Sequence, residues 1–415
     1  MKKAISLVLL LIILQVSMIT VYAKKEKQAN YPIADFDIMI PLTKAKAELL
    51  SKISIFNELE RDVARQEFTW ELVNYMPEDE NYVFSPISIK IALAMTANGG
   101  DGETKEEILK ALGIDDLDSF NEYTERLMRD YSEKEAVELS IANSVWLNSD
   151  YDRSVDFKDS FRNTVKDYYQ ADVTKVNSYN AVNEINSWVD NKTKGKITEL
   201  ISDSDFLACL VNATYFKGEW AVEFNESDTK KAEFTDRNGK KTELDFINTQ
   251  GRLNYYEDSS VQIVRLPYKD KGISMYIAIP ANPADRQLNL EENIEKMERI
   301  KVDVSLPKFK TEFSTSLVDA LLQMGIISGF DPAKADFNNM FTNSNAYISS
   351  VIHKAYINVD ESGTEAAAVT GIIMENSAIV ADECVKFNAN RPFIYFIRDD
   401  KNGEILFIGE YAYGN

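Results

Sequence analysis

The stretch "AYISSVIHKAYINVDESGTEAAAVT", Ala346 to Thr370, changes character halfway along. In its first half Val351, His353, Ala355, Ile357 and Val359 share one parity, while Lys354, Asn358 and Asp360 share the other. That alternation predicts a half-buried strand over Tyr347 to Val359 and puts the single histidine on its apolar face, as a hydrogen-bonded structural group. After Asp360 the chain turns to small residues. If Thr364 to Met374 is laid out as a strand, one face receives Thr364, Ala366, Ala368, Thr370, Ile372 and Met374, none of them charged. The other receives Glu365, Ala367, Val369, Gly371, Ile373 and Glu375. The segment is therefore able to enter a sheet on its first face. Alanine and glycine are poor strand formers, so an Ala-rich helix or a surface loop fits the local pattern equally well.

The surrounding chain is that of a large globular protein: 415 residues, 45% hydrophobic and 11% aromatic, with ample core-forming material. It opens with "MKKAISLVLLLIILQVSMITVYA", in which a Lys2/Lys3 start, an apolar run and Val21-Tyr22-Ala23 read as a signal peptide cleaved after Ala23. Secretion is the expectation, and an uncleaved membrane anchor the alternative. No later stretch approaches the ~20 apolar residues that span a bilayer. Residues 24–50 read as a flexible segment leading into one domain over residues 51–415, with no repeat or linker to divide it. The net charge of −21 argues against nucleic acid and against a heparin-like polyanion as partner. Cys209 and Cys384 are the only cysteines. This is no disulfide scaffold, and two separate thiols are favoured over one bridge.

Counting excludes much chemistry. With His353 as the one histidine, a His-cluster metal site or an HExxH motif is ruled out, and a Ser-His-Asp triad would have to use that residue. There is no GxSxG, GxGxxG or P-loop, and "NGGDGE" near Asn98 reads as a turn. No catalytic constellation, metal site or cofactor is expected.

Helical periodicity runs near Phe56 to Met76, and "SPISIKIALAMTANGG" reads as a helix with Ser85 before Pro86 and a stop at Gly99. "ELSIANSVWL" reads as a strand, "VNEINSWVDNKTKGKITELI" as a helix ending near Gly195, and "FLACLVNATYFKGEW" as a central strand buried on both faces. Further strands are predicted at residues 261–266, 274–280, 301–306, 385–388, 393–398 and 405–411.

Five segments together resemble the serpins: "VFSPISI", "VNATYFKGEW", "LPKFK", "ISSVIHKAYINVDESGTEAAAVT" and "FNANRPFIYFIRDDKNGEILFIGEY", in the family's order. Arg391 stands where many relatives carry histidine before Pro-Phe. The resemblance implies an α+β serpin fold with three β-sheets, about eight or nine helices and an exposed reactive-centre loop at about residues 361–384. It implies that a target serine protease cuts the loop and forms an acyl-enzyme, after which the loop inserts as a new strand and traps the enzyme. Serpin loop insertion is a standing example of strand addition and of released strain. The chain itself would then be no enzyme, and a monomer is expected.

Carried over residue by residue, the hinge is Glu361, Gly363, Thr364, Glu365, Ala366, Ala367, Ala368, Val369 and Thr370. The shutter, a polar cluster beneath the place where the sheet opens, is Ser85, Ser88, Asn212 and His353; the breach, where insertion begins, is Trp220. Counting from Gly363 puts the reactive bond at Ser377-Ala378. Counting back from "VKFN" gives Ile379-Val380. The small residue at Ser377 suits elastase-like or subtilisin-like enzymes, and the lack of any Lys or Arg between Lys354 and Lys386 argues against a trypsin-like target. A non-inhibitory serpin acting as carrier, chaperone or storage protein is the alternative, as is inhibition of a cysteine protease. The short lysine-led signal and the Lys/Ile/Asn-rich chain lean bacterial.

Overall fold

The computed structural model describes residues 67–364 and 384–414, apart from 223, 271 and 343–345. The signal segment, residues 24–50, Glu365 to Thr370 and both candidate reactive bonds lie outside the described residues.

Eight α-helices lie among the described residues. A first, α1, is described over 67–73. The second, α2 (Pro86–Gly99), starts as the sequence predicts: the Ser85 side chain accepts from the Ser88 amide, and Pro86 occupies the first turn, where no amide donor is required. Next come α3 (Gly102–Leu112) and α4 (Leu117–Ser132), then α5 (Asp159–Tyr169) and α6 (Ser178–Lys192). The start of α6 precedes the predicted one because Asn177 caps it, accepting from the Asn180 amide. The short α7 (Leu290–Glu295) and α8 (Val318–Gln323) complete the set.

Strands β2 (Val137–Asn148), β3 (Asp172–Val176), β4 (Ala208–Glu219), β10 (Phe309–Ser316), β11 (Ser350–Asp360) and β12 (Gly363–Thr364) form a six-stranded sheet in the order β10-β11-β12-β4-β2-β3. Its two faces are covered differently. On one side Cys209, Val211, Ala213 and Tyr215 of β4 pack with Ala181, Ile185 and Val189 of α6. On the other, Leu210 and Phe216 join the main core, which includes α2. Burial on both faces is the reason β4 reads as an unbroken apolar run.

The second sheet holds β1 (Tyr82–Phe84), β5 (Lys230–Thr235), β6 (Lys241–Glu257), β7 (Val261–Pro267), β8 (Ile273–Pro280), β9 (Glu298–Pro307), β13 (Val385–Asn388), β14 (Phe393–Asp399) and β15 (Ile405–Tyr411). Two of the three foreseen sheets are thus one hydrogen-bonded set, because β6 runs unbroken for 17 residues, pairing with β5 and β9 along its length and with β7 at its end. The predicted mixed α/β fold with several sheets is what the chain forms. Cys209 and Cys384 are unbridged. Among the described residues no helix is long and apolar enough to cross a membrane, and no cluster of acidic, cysteine and histidine groups is placed to hold a metal.

Candidate functional site

The predicted site residues gather along one seam. From Ser350↔Cys209 to Tyr356↔Tyr215, β11 and β4 pair directly and in parallel. Beyond Tyr356 the two strands stand apart and β12 lies between them, its Gly363 and Thr364 antiparallel to Asp360 and Val359 on one side and to Glu219 and Gly218 on the other. The chain reverses from β11 into β12 through a turn in which the Asp360 carboxylate accepts the Ser362 amide at 2.9 Å.

Only glycine fits the first position of β12. Gly363 has φ +148°, and a Cβ there would sit 2.0 Å from the Gly218 carbonyl oxygen. Thr364 is 0% exposed, as the parity of its face predicts, and its hydroxyl lies 2.6 Å from that of Tyr268. Burial pushes the Tyr268 phenol well up, so this is a bond between two neutral hydroxyls.

Trp220 closes the end of β4. Its ring stacks on Tyr268 with centroids 4.6 Å apart at 10°. Its Nε1 donates to the Asp360 carbonyl at 3.0 Å, and its amide to the Ser362 carbonyl at 3.1 Å. Glu361, between them, accepts from the Thr229 hydroxyl at 2.7 Å and pairs with Lys308 at 2.8 Å. The chain leading into β12 is therefore gripped by an indole, a hydroxyl and an ammonium group.

Lower on the seam, where β11 and β4 touch, Ser85, Ser88, Asn212 and His353 come together as one buried cluster. His353 Nε2 accepts from the Ser85 amide at 3.2 Å, so the ring proton resides on Nδ1, which donates to Asn212 Oδ1 at 2.5 Å. Asn212 Nδ2 donates to Ser88 Oγ and to Asn143 Oδ1, each at 2.6 Å. Burial holds the imidazole down to about 3, hence neutral at physiological pH. Both ring nitrogens are engaged and neither meets a carboxylate, so His353 builds no Ser-His-Asp relay.

Two members of these clusters were not foreseen. Asn143 is a polar residue inside the apolar alternation of "ELSIANSVWL", a signal that was there to be read. Tyr268 follows "RLP" in a polar turn, and nothing local marks it. Arg391, in place of the family's usual histidine, donates to the Pro280 carbonyl.

The fold has solved counterparts. A thermophilic serpin, tengpin, in its native state superposes with a TM-score of 0.74 at 32% identity, covering 86% of this chain and 94% of that one. Human thyroxine-binding globulin, in a structure complexed with thyroxine, gives 0.77 at 25% identity, covering 85% and 98%. In sequence the chain is 35% identical to a leukocyte elastase inhibitor of Xenopus tropicalis over 373 residues, 83% of this chain and 97% of that protein. The family model described as Serpin (serine protease inhibitor) matches residues 63–413. With its motifs in order, β12 standing between β4 and β11, and that model spanning the described domain, the chain belongs to the serpin family.

Proposed function

We propose that the protein is a secreted, monomeric suicide-substrate inhibitor of serine proteases with small or apolar specificity, elastase-like or subtilisin-like. The observation that carries this is β12. Two residues of a strand already stand between β4 and β11, paired with both, and the residues that follow are small enough to continue it. Extended at the observed register, the strand sets Thr370 level with His353 and Asn212, the pair that closes the seam. Insertion to that depth exchanges one parallel ladder for two antiparallel ones. A ladder of about ten bonds at ~1 kcal/mol each matches the whole stability of an ordinary domain, so the uncut form is kinetically held.

In this reading Trp220, with Tyr268, forms the breach, and Ser85, Ser88, Asn143, Asn212 and His353 form the shutter that parts as the strand advances. Glu361, Gly363, Thr364 and residues 365–370 are the hinge, and the bond cut is Ser377-Ala378, with Ile379-Val380 as the second choice. The protease supplies the nucleophile and this chain the acyl group.

The test mixes the purified protein with subtilisin or elastase. The expected result is an SDS-resistant complex, together with a large rise in Tm after the loop is cut. A loop cut with neither complex nor gain in stability returns the chain to the carrier, chaperone or storage reading.

A further inference from the structure

Three adjoining strands of the second sheet, β6, β9 and β13, bring cations together in a chain that is acidic overall. In β9, Val302, Val304 and Leu306 are fully buried, so Arg299, Lys301 and Asp303 stand on the other face. The register sets Arg252 of β6 directly beside Lys301 and Lys386 of β13 directly beside Asp303. Arg252, Arg299 and Lys386 are exposed and Lys301 is half-buried. Arg299 Nε also donates to the Arg252 carbonyl at 3.4 Å, drawing its guanidinium toward the same place. Arg252, Arg299, Lys301 and Lys386 thus adjoin on this face, with Asp303 among them, in a chain of net charge −21. The register sets the Arg252 and Lys301 cations opposite one another across the ladder.

The position of this face says what it meets. β13 is the first described strand after the proposed reactive bond. Fully extended, the chain from Ala378 to Val385 reaches at most about 25 Å. A protease domain of ordinary size has a radius of gyration of about 18 Å, so an enzyme seated on that bond lies within reach of the β13 end of the face.

We propose that the basic face around Arg252, Arg299, Lys301 and Lys386 is an exosite that engages an acidic surface patch on the target protease. It speeds encounter and selects among enzymes that accept the same loop. The inference rests on the inhibitory reading above. Charge of this kind acts on association rate and falls away with salt, within a Debye length of about 10 Å at 0.1 M.

The experiment uses the full mature chain and its Arg299→Glu/Lys386→Glu variant, both substitutions at exposed positions. Each is assayed against a subtilisin-like protease of acidic isoelectric point and an elastase-like protease of basic isoelectric point. The expected result is a fall of about tenfold or more in the association rate constant with the acidic enzyme at low salt. That fall should vanish by about 1 M salt, leave the stoichiometry of inhibition unchanged and be absent with the basic enzyme. An Arg299→Gln/Lys386→Gln variant should fall between the two, and an unchanged Tm for both variants excludes misfolding. Equal rates for variant and parent at low salt overturn the proposal, as does a difference seen only when heparin is added, which would make the face a polyanion site. Binding to a protease whose nucleophilic serine is replaced by alanine keeps the two readings apart. If the variant binds that enzyme more weakly yet the parent forms no covalent complex with active enzyme, the exosite stands and the inhibitory mechanism fails.

Discussion

Replacing Thr364 by arginine tests the mechanism where insertion begins. Thr364 is 0% exposed and its hydroxyl is bonded at 2.6 Å to that of Tyr268, the ring on which Trp220 stacks. In the uncut protein an arginine avoids this slot by leaving the sheet with β12; insertion must bring it back, where it would leave the Tyr268 hydroxyl without its partner, at about 1–3 kcal/mol, and bury an unpaired charge, at several kcal/mol more. A total of about 4–6 kcal/mol, at 1.36 kcal/mol per factor of ten, slows insertion on the order of a thousandfold to ten-thousandfold. Hydrolysis of the acyl-enzyme then wins the competition. On denaturing gels the Thr364→Arg protein should be cut by subtilisin without an SDS-resistant complex, and its cleaved form should gain little in Tm. Thr364→Val removes the hydroxyl alone, a loss common to the uncut and inserted states, so it should keep the complex. A Thr364→Arg protein that still traps protease at the parent stoichiometry refutes the reasoning.

Other predictions concern the stability of the seam. His353 has its folded pKa lowered by burial to about 3, against ~6.5 when unfolded, so between those values the unfolded chain binds the extra proton and stability rises with pH. Urea unfolding should show about 2 kcal/mol lost at pH 5 relative to pH 7, and His353→Gln should flatten that slope; an unchanged slope counts against the buried neutral ring. Trp220→Ala removes a side chain that is 1% exposed, along with its stacking on Tyr268, and should cost about 3–5 kcal/mol in denaturant unfolding. A cost under about 1 kcal/mol would show that the indole does not hold the hinge. Gly363→Ala places a Cβ 2.0 Å from the Gly218 carbonyl and should expel β12, visible as faster hydrogen exchange at the Trp220 amide, which donates to the Ser362 carbonyl. Unchanged exchange would mean the close approach is not what selects glycine.

Much of the fold was legible because it rests on local rules. The Ser85-Pro86 start of α2, the two-sided burial of β4 and the inward parity of His353 all follow from capping chemistry and from the period of two along a strand. Where local reading slipped, a neighbouring contact decided. Tyr347 to Ser349 were predicted as part of β11, yet the strand begins at Ser350. The turn read near Asn98 stops sooner than expected because Asp101 caps α3, accepting from the Gly102 amide. The candidate site was only partly legible: resemblance singled out four polar residues of one cluster, but Asn143 and Tyr268 enter through strand pairing and a stacked ring. The basic face was not legible at all, since Arg252, Arg299, Lys301 and Lys386 become neighbours only through the β6–β9–β13 register.

By itself the sequence determined what each segment was able to do: a strand with one apolar face, and after it a run of small residues suited to enter a sheet without compelling it. Those are properties of side-chain size and spacing, carried by the residues concerned. Only the tertiary structure decided that β4 and β11 lie side by side, although the Asn212 and His353 that join them are 141 positions apart. It also decided that the seam is closed by direct pairing at one end and occupied by Gly363 and Thr364 at the other. The reason is physical: a ladder between distant strands depends on the burial of both faces by α6 and the main core at once, and no local stretch encodes that sum.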